Sequence, residues 1–476
     1  MDHRRDFEFN ISEYTKTQIR NVLNFQGKKI LVVGLGKTGL ALVSFLLGQG
    51  AEVRVSDSRK ISELQGMVSP FKGIGLPLVL EGGGHSPAFF ATADMVLISP
   101  GIPLDTPALN AARGKGIPIL GELEVFADHS TIPVVAVTGT NGKTTTTALL
   151  NEMLVNSGKK TYLGGNIGRP LMDYILGGHG QEIVVAEISS FQLDTACHFS
   201  PQVGLLLNIT EDHLDRYPSF QAYVASKASL FRNQKENNPA VVNWDDEICR
   251  SIGESLSGPV YFFSRTRQVA QGAYLDEHKA VVQIGHTQEQ YDLKEFPLPG
   301  VHNRENALAA ILGARLMGAI PEAVQKTLLT FKGLGHRLEY IDQIKGIRFY
   351  DDSKATNVGA VVKALEGFDQ PVILIAGGRD KGGDYLPLKE LIQTKVRAMV
   401  LIGEARDIMK EQLGMLTKTE CADTLEEAVL WAFQQGRSED VVLLSPACSS
   451  FDMFRDYVHR GNVFQQTVRK LGEIKN

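Results

Sequence analysis

The chain has 476 residues, of which 43% are hydrophobic and 22% charged, with a formal net charge of −5 and a pI of about 6.2. This composition is typical of a globular protein with two to four domains, and it gives no reason to expect nucleic acid as a partner. The charged amino terminus is followed by no signal-peptide core, and no apolar run is long enough to span a membrane, so no membrane partner is expected.

The four cysteines, Cys197, Cys249, Cys421 and Cys448, are widely separated and form no C-x-x-C pair. This spacing indicates neither a disulfide framework nor a zinc site. A reducing, cytoplasmic location is therefore expected. Residues 1–26 are polar and mixed, and we interpret them as an N-terminal extension without an assigned function.

A glycine-rich turn opens the first domain. A predicted strand at 28–33 leads into Gly34-Leu35-Gly36-Lys37-Thr38-Gly39 and then a helix, and the next predicted strand ends at Asp57, 23 residues after the first glycine. This pattern predicts a turn that holds a nucleotide-like ligand, for which NAD is the default. The alternative is that the glycines only permit close helix–strand packing. A further strand, 94–98, runs into Ser99-Pro100-Gly101, at the sheet edge where such ligands bind.

The second domain carries a candidate phosphate loop, Thr138-Gly139-Thr140-Asn141-Gly142-Lys143-Thr144-Thr145, between a predicted strand and a predicted helix. Its backbone N–H groups would face an anion, Lys143 would reach the outer phosphates, and the Thr144 hydroxyl would ligate Mg²⁺. The spacing departs from G-x-x-x-x-G-K-[ST], because Val137 stands where the earlier glycine is expected. The alternative is an ordinary turn with a solvated lysine.

Polar residues follow two later strands of this domain. Glu187 ends the predicted strand 182–187, where a carboxylate beside a phosphate loop finds nucleotide-bound Mg²⁺; the alternative is an exposed strand-end glutamate. His213 follows the strand 203–207 and could ligate a second metal, bind substrate or be structural. Lys227 lies in an amphipathic helical segment and, from spacing alone, reads as solvated.

The rest of the chain is less distinctive. Residues 240–297 read as β-rich, and the asparagines before the predicted helix 307–317 could cap it or contact a base. From about 334, the strands 372–376, 398–402 and 441–444 alternate with helices, which indicates a second doubly wound parallel sheet. Four cations lie in or beside its loops, and they suit either an anionic ligand or ordinary surface charge: Arg337, Lys354, Arg379 and Lys381.

Taken together, these motifs resemble those of the Mur ligase family, the ATP-dependent amide-bond-forming enzymes of bacterial cell-wall synthesis. The matching segments run from Gly34 to Gly461, and the shortened phosphate loop is the family's own form. The run Asp352-Ser353-Lys354-Ala355-Thr356-Asn357 resembles that of the D-glutamate-adding members, and the Asp-Asn-Pro-Arg motif of the diaminopimelate- and lysine-adding relatives is absent. The resemblance implies a three-domain α/β fold: Rossmann-like at 27–121, P-loop ATPase-like at 122–333 and Rossmann-like at 334–476.

The resemblance also implies residue roles. The first glycine-rich turn would hold the UDP part of the substrate, with contacts from Gly36, Lys37, Thr38, Ser58, Arg59 and Gly101. The sugar–peptide part would contact Asn166 and His213. ATP would bind the phosphate loop together with Asn303, Arg337 and Asp352. Two Mg²⁺ ions would be held by Thr144, Glu187, His213 and Lys227, the last as the lysine that this family carbamylates. D-Glutamate would bind at Lys354, Thr356, Lys381, Ser450 and Phe451.

The implied activity adds D-glutamate to UDP-N-acetylmuramoyl-L-alanine through an acyl phosphate, in a cytoplasmic monomer, with Lys143, Glu187, His213 and Lys227 as the catalytic set. Two other classes stay open. An NAD-dependent oxidoreductase would explain only the Gly34 turn and Asp57. A non-catalytic nucleotide switch would turn over ATP without regard to any amino acid. A folylpolyglutamate-synthase-like activity would leave the first glycine-rich domain without a use.

Overall fold

The computed structural model describes residues 23–71, 75, 77–178, 180–213, 216–298, 300–380, 382 and 384–473. These residues form three sheets, of five, nine and six strands, each flanked by helices. They group into two compact units. The first holds the described residues up to Tyr274 with Val282–Glu289 and Ala309–Val324, and the second holds the others. None of the described helices has the length and apolarity needed to cross a lipid bilayer.

The first sheet is entirely parallel, in the order β3-β2-β1-β4-β5. Its strands are β1 (Lys29–Val33), β2 (Glu52–Asp57), β3 (Leu78–Gly82), β4 (Met95–Ile98) and β5 (Ile119–Gly121). Its helices are α1 (Lys37–Gly48), α2 (Ile61–Met67), α3 (Pro87–Phe90) and α4 (Pro107–Arg113). The strand order reverses between β1 and β4, so both turns that the sequence singled out lie at the crevice where open sheets bind ligands.

Helix α5 (Glu122–His129) follows the first sheet and carries two buried glutamates. Glu122 accepts a hydrogen bond from the backbone nitrogen of Met172 at 2.9 Å, and burial raises its pKa to about 7. Glu124 accepts from the backbone nitrogens of Cys197 and His198, at 2.6 and 2.9 Å. These carboxylates tie the end of the first sheet to two segments that belong to the second sheet's layers.

The second sheet has the order β14-β13-β12-β11-β10-β9-β6-β8-β7. Its strands are β6 (Val134–Thr138), β7 (Thr161–Gly165), β8 (Ile183–Glu187), β9 (Val203–Leu206), β10 (Ala240–Asn243), β11 (Val260–Ser264), β12 (Gly272–Asp276), β13 (Lys279–Ile284) and β14 (Thr287–Asp292). The β-rich prediction for 240–297 is confirmed. Because β8, β6 and β9 are adjacent and parallel, the residues after each strand meet at one edge of the sheet.

Seven helices are associated with this part of the chain: α6 (Lys143–Asn156), α7 (Met172–Gly177), α8 (Ser190–Leu193), α9 (Phe220–Ala228), α10 (Glu247–Ser255), α11 (Val301–Leu316) and α12 (Pro321–Thr330). Helix α11 begins six residues earlier than predicted, so Asn303 and Asn306 lie inside the helix. The interpretation of these asparagines as helix caps is therefore wrong. The Nδ2 atom of Asn306 donates to Oδ1 of Asn303 at 3.2 Å.

The third sheet has the order β15-β16-β20-β17-β18-β19. Its strands are β15 (Glu339–Ile344), β16 (Ile347–Asp351), β17 (Val372–Gly377), β18 (Val396–Ile402), β19 (Lys418–Cys421) and β20 (Val441–Leu444), and its helices are α13 (Val358–Glu366), α14 (Lys389–Lys395), α15 (Arg406–Leu413), α16 (Leu425–Gln435) and α17 (Tyr457–Glu473). The three predicted strands are confirmed. The antiparallel pair β15–β16 was not predicted, since charged residues interrupt its apolar pattern.

Candidate functional site

The phosphate loop has a backbone that requires its two glycines. Gly142 has φ +82° at the start of α6, and Gly139 has φ +151°, both in the region that only glycine adopts readily. A Cβ on Gly139 would also lie 3.0 Å from the Cβ of Leu207. The first-turn N–H groups of α6 follow directly, and a helix start of this kind suits an anion.

Lys143 is folded back over this loop. Its Nζ donates to the carbonyl oxygens of Gly139 and Thr140, at 2.8 and 2.9 Å. Thr144 follows in the first turn of α6, and Thr145 is buried. The lysine is thus held at the mouth of the loop through main-chain oxygens.

Asn208, two residues after β9, holds the phosphate loop through its side-chain amide. Its Oδ1 accepts from the backbone nitrogen of Asn141 at 2.8 Å, and its Nδ2 donates to the Asn141 oxygen at 3.1 Å. Its own carbonyl accepts from Thr140 at 2.9 Å. Sequence reasoning gave Asn208 no role of its own. The available signal was an amide side chain ending the strand beside the loop.

Glu187 lies at the end of β8 and is only 2% exposed, so the alternative of an exposed strand-end glutamate is wrong. Its Oε1 accepts from Nδ2 of Asn166 at 2.6 Å. Its Oε2 is buried and, within the described part of the chain, has no hydrogen-bond partner, and the same is true of the Thr138 hydroxyl on the adjacent strand. Buried oxygens without donors are the ligands that a hard cation such as Mg²⁺ requires.

Lys227, on α9, is 2% exposed, so the interpretation as a solvated helix lysine is wrong. Its Nζ donates to the carbonyl oxygen of Gly139 at 2.8 Å and lies 4.6 Å from the ring centre of Tyr223. Burial, and secondarily the charge of Lys143, lowers the pKa of Lys227 well below its usual value. Desolvation therefore favours the neutral, nucleophilic amine.

His213 lies on an aromatic platform beside these residues. Its ring centre is 4.9 Å from that of Phe191 and 6.3 Å from that of Tyr223, and its backbone has φ +56°. Tyr217 stacks on Phe191 with ring centres 5.8 Å apart and planes within 9°. Because the hydroxyl of Tyr223 is 3.2 Å from that of Thr140, His213 belongs to the edge formed by the phosphate loop.

Gly36 and Gly39 have different roles in the first glycine-rich turn. A Cβ on Gly39 would lie 2.0 Å from the carbonyl oxygen of Gly34, whereas a Cβ on Gly36 would have no atom within 4 Å. Gly39 therefore serves close helix–strand packing, as the alternative interpretation had it. Gly36 and Lys37 are exposed and Thr38 is half-buried at the mouth of the turn.

Asp57 is already engaged by protein groups. Arg59 donates to both of its oxygens, at 2.9 and 2.6 Å, and the backbone nitrogen of Leu35 donates at 2.7 Å. The hydrogen bonds from Arg59 are the main cause that holds the pKa of Asp57 well below its usual range. Asp57, on which the NAD interpretation depends, thus has a structural role. Ser58 is exposed next to it, and Gly101 is exposed after β4.

In the second unit, Asp352 is buried at the end of β16. Ser445 donates to its Oδ2 at 2.8 Å and Leu338 to its Oδ1 at 3.3 Å, and burial raises its pKa to about 7. Arg337 lies between His336 and Leu338, whose φ values are +63° and +44°. The imidazole of His336 contacts the Asp351 carboxylate at 2.7 Å, which fixes this turn.

The predicted amino-acid residues are only partly brought together. The Nζ of Lys354 is 4.0 Å from the ring centre of Tyr457, Thr356 is half-buried, Ser450 is buried, and Phe451 is 61% exposed. Lys381 lies outside the described residues. Arg379 is exposed and lies 3.5 Å from a carboxylate oxygen of Glu404, as expected of ordinary surface charge.

Arg460 is a residue that sequence reasoning missed. It is fully buried on α17, and its guanidinium donates to the carbonyls of Ser353, Cys448 and Ser449 at 2.9, 3.1 and 3.3 Å. Burial lowers its pKa to about 10. Arg460 therefore joins the segment before Lys354 to the segment before Ser450. Nothing in its local sequence distinguishes it from a surface arginine of an amphipathic helix.

Three family models match the chain. Residues 28–121 match the N-terminal domain of MurD-like Mur ligases, 137–314 the Mur ligase middle domain, and 336–448 the Mur ligase glutamate ligase domain. Together they cover most of the chain.

Curated relatives match at high coverage. The UDP-N-acetylmuramoylalanine–D-glutamate ligase of Geobacter metallireducens is 46% identical, over 94% of this chain and 99% of its own length. The ligase of the same name from Geotalea daltonii is 43% identical over the same shares. In structure, the chain is similar to MurF ligase from Thermotoga maritima, solved in complex with ADP, with a TM-score of 0.58 at 18% identity, covering 95% of this chain and 97% of that one. These matches confirm the predicted three-domain α/β fold.

Proposed function

The chain belongs to the Mur ligase family, and from that premise we propose that it is an ATP-dependent ligase that adds D-glutamate to UDP-N-acetylmuramoyl-L-alanine in peptidoglycan precursor synthesis. One observation carries the proposal beyond family membership. Lys143 and Lys227 both donate to the phosphate loop, and Glu187 ends the strand paired with the strand that leads into it, with one buried carboxylate oxygen that has no donor among the described residues. The relatives that carry this activity in their names match nearly the whole chain.

The reaction must activate a carboxylate, because its oxygen does not leave when an amine attacks. ATP phosphorylates the L-alanyl carboxylate to give an acyl phosphate and ADP. The amine of D-glutamate then attacks the acyl carbon, a tetrahedral intermediate forms, and phosphate leaves with the electron pair of the C–O bond. The first step brings anions together, so it depends on positive charge and alignment. Lys143 supplies charge at the loop, and the exclusion of water protects the acyl phosphate.

Two Mg²⁺ ions fit the oxygen ligands at this edge, and when bound they would neutralise the phosphates and orient them for transfer. Thr144 and Glu187 would hold one ion, and His213 with a carbamylated Lys227 the other. Carbamylation joins the neutral Nζ of Lys227 to the carbon of CO₂ with loss of one proton. This turns a neutral amine into an anionic oxygen ligand. The low pKa of Lys227 and its burial against the loop support this assignment.

The substrates are assigned to the three parts of the chain. Residues 27–121 would hold the UDP moiety through Gly36, Lys37, Thr38, Ser58, Arg59 and Gly101, with Asn166 and His213 at the sugar–peptide part. Residues 122–333 would hold ATP, together with Asn303, Arg337 and Asp352. Residues 334–476 would hold D-glutamate through Lys354, Thr356, Lys381, Ser450 and Phe451, because cations suit its carboxylates. We place the protein in the cytoplasm, where ATP is available, and we propose a monomer because one chain carries every assigned group.

The test is phosphate release from ATP by the purified protein with UDP-N-acetylmuramoyl-L-alanine and a panel of amino acids. Release should require both the UDP substrate and D-glutamate. Release with L-lysine or diaminopimelate but not D-glutamate would replace the proposal with a sister activity. ATP turnover without any amino acid would indicate a nucleotide switch, and binding of NAD instead of UDP would indicate an oxidoreductase.

A further inference from the structure

Arg216 bridges two parts of the first unit through its guanidinium. Its Nη1 donates to the carbonyl oxygen of Gly101 at 3.2 Å and its Nη2 to that of Ile102 at 3.0 Å. These two carbonyls are consecutive in the turn after β4, opposite the glycine-rich turn after β1. A planar fork that contacts two adjacent carbonyls fixes both distance and orientation.

The backbone and the guanidinium face of Arg216 contact residues at the phosphate-loop edge. Its backbone nitrogen donates to the carbonyl of His213 at 2.9 Å. Its guanidinium carbon lies 4.5 Å from the ring centre of Phe191. Phe191 follows Glu187 by four residues in the chain. Phe191 sits in α8, whose start is closed by a reciprocal capping box between Ser189 and Gln192. The guanidinium of Arg216 is therefore held between the Phe191 ring and the two carbonyls, and its backbone is bonded to His213, one of the candidate metal residues.

The turn that Arg216 contacts has its own anchors in the first sheet. The backbone nitrogen of Ser99 donates to Val33 at 2.9 Å, its hydroxyl to Gly34 at 2.7 Å, and Ile102 closes the turn on Ser99 at 3.1 Å. These bonds do not involve Arg216. The turn should therefore keep its average shape, and its affinity for a ligand, when the guanidinium is removed, and should lose only the restraint that the guanidinium adds.

We propose that Arg216 is a positioning residue, which sets the register between the turn that holds the UDP substrate and the phosphate loop that holds ATP. The inference rests on the proposed function. The phosphoryl transfer needs the substrate carboxylate in line with the outer phosphate, and a misplacement of about 1 Å costs roughly a hundredfold in rate. Arg216 acts on that alignment through main-chain carbonyls and the Phe191 ring.

The experiment compares Arg216→Met, which keeps the stem and removes the fork, with Arg216→Lys, which keeps the charge. Arg54→Met is the matched control, because Arg54 also lies over a phenylalanine ring, at 4.0 Å from the centre of Phe89, but in the middle of β2. Ligase kcat, the KM for ATP, the Kd for the UDP substrate and hydrogen exchange at the amides of Gly101 and Ile102 are measured for each protein.

For Arg216→Met we expect kcat to fall at least about tenfold, with both the ATP KM and the UDP-substrate Kd within about twofold of wild type. Arg216→Lys should recover part of the loss, since an ammonium can donate to one carbonyl at a time. Exchange at Gly101 and Ile102 should be faster in Arg216→Met only. Arg54→Met should match wild type in all four measurements.

An unchanged kcat in Arg216→Met would overturn the proposal. A fall in kcat accompanied by a clearly weaker Kd for the UDP substrate would also overturn it, because Arg216 would then be a binding residue. If the wild-type protein releases no phosphate with D-glutamate, the proposed function fails instead. Hydrogen exchange then still decides whether Arg216 restrains the turn, and equal exchange in the variant and the wild type would exclude that restraint.

Discussion

The side-chain nitrogen of Lys227 lies 2.8 Å from the carbonyl oxygen of Gly139, so a buried lysine is hydrogen-bonded to the first glycine of the phosphate loop. Lys143 donates to the same oxygen, also at 2.8 Å. Two amines that share one acceptor repel each other when both are charged. Burial is the main cause that drives Lys227 toward its neutral form, and the charge of Lys143 adds to it.

Lys227→Ala is expected to lower ligase activity by about a hundredfold or more, because it removes the anionic ligand that the carbamate would supply. A short carboxylic acid added to the assay should restore part of the activity by filling the space left by the side chain. Lys235→Ala, at an exposed position after the same helix, is the control and should remain fully active. Full activity of Lys227→Ala would exclude the carbamate role.

Glu187→Gln separates stability from function. The amide keeps an acceptor for Asn166 and removes a buried charge whose second oxygen has no donor among the residues that the structure describes, so the melting temperature without Mg²⁺ should not fall. Activity should drop about a hundredfold and should need more Mg²⁺. Glu182→Gln, one residue before β8 and exposed, serves as the control. A destabilised but active Glu187→Gln protein would mean that the carboxylate is structural.

Two glycines of the first turn are expected to respond in opposite ways to alanine. Gly39→Ala places a methyl group 2.0 Å from a carbonyl oxygen and should cost about 3 kcal/mol or prevent folding. In Gly36→Ala the added methyl group has no atom of the described residues beyond its chain neighbours within 4 Å, so the melting temperature should stay unchanged, while UDP binding measured by calorimetry should weaken. Unchanged UDP affinity in Gly36→Ala would remove this residue from the proposed site.

Asp352 gives a pH dependence of stability. Burial raises its pKa from 3.8 to about 7 in the folded protein, so the folded state holds the proton more tightly than the unfolded chain. The resulting stability is complete below pH 4 and is lost as pH rises through 7. Asp352→Asn should therefore match wild type near pH 4 and exceed its stability at pH 8, by about 2–4 kcal/mol at most. Thermal unfolding from pH 4 to 8 measures the gap.

Glu122→Gln offers an independent comparison in the first unit, since burial also raises the pKa of Glu122 to about 7. Its stability gap to wild type should widen over the same pH range and with the same sign. A difference in stability between each variant and the wild type that stays constant with pH would contradict the raised pKa values of these two carboxyls.

The central apolar strands, the glycine turns and the phosphate loop could be predicted from sequence, because apolar runs and glycines act locally. β6 and α6 are one such case, whereas the antiparallel pair β15–β16 was not predicted because charged residues interrupt its apolar pattern. The burial of Lys227 could not be predicted, since its helix has the spacing of a surface helix and only the partner layer decides which face is covered. The same limit applies to Arg460.

The hydrogen-bond partners of individual side chains could not be predicted from the sequence either. The sequence placed Asp57 where a ribose-binding acid belongs, but a cation two residues later occupies both of its oxygens. Asn208 and Arg216 bind main-chain groups that are 67 and 115 residues away. Contacts of that kind depend on the order of strands in a sheet, which side-chain patterns do not encode.

The hydrogen bonds of Lys143 to its own loop lower the affinity of the loop for any anion that must replace them. An incoming anion competes for the ammonium of Lys143 with the carbonyl oxygens of Gly139 and Thr140. These two carbonyls occupy the ammonium when no ligand is bound. A singly charged or poorly shaped anion gains too little from the exchange. A polyphosphate, which also engages the N–H groups of the loop, gains more from the exchange, so we expect the loop to bind polyphosphates in preference to singly charged anions.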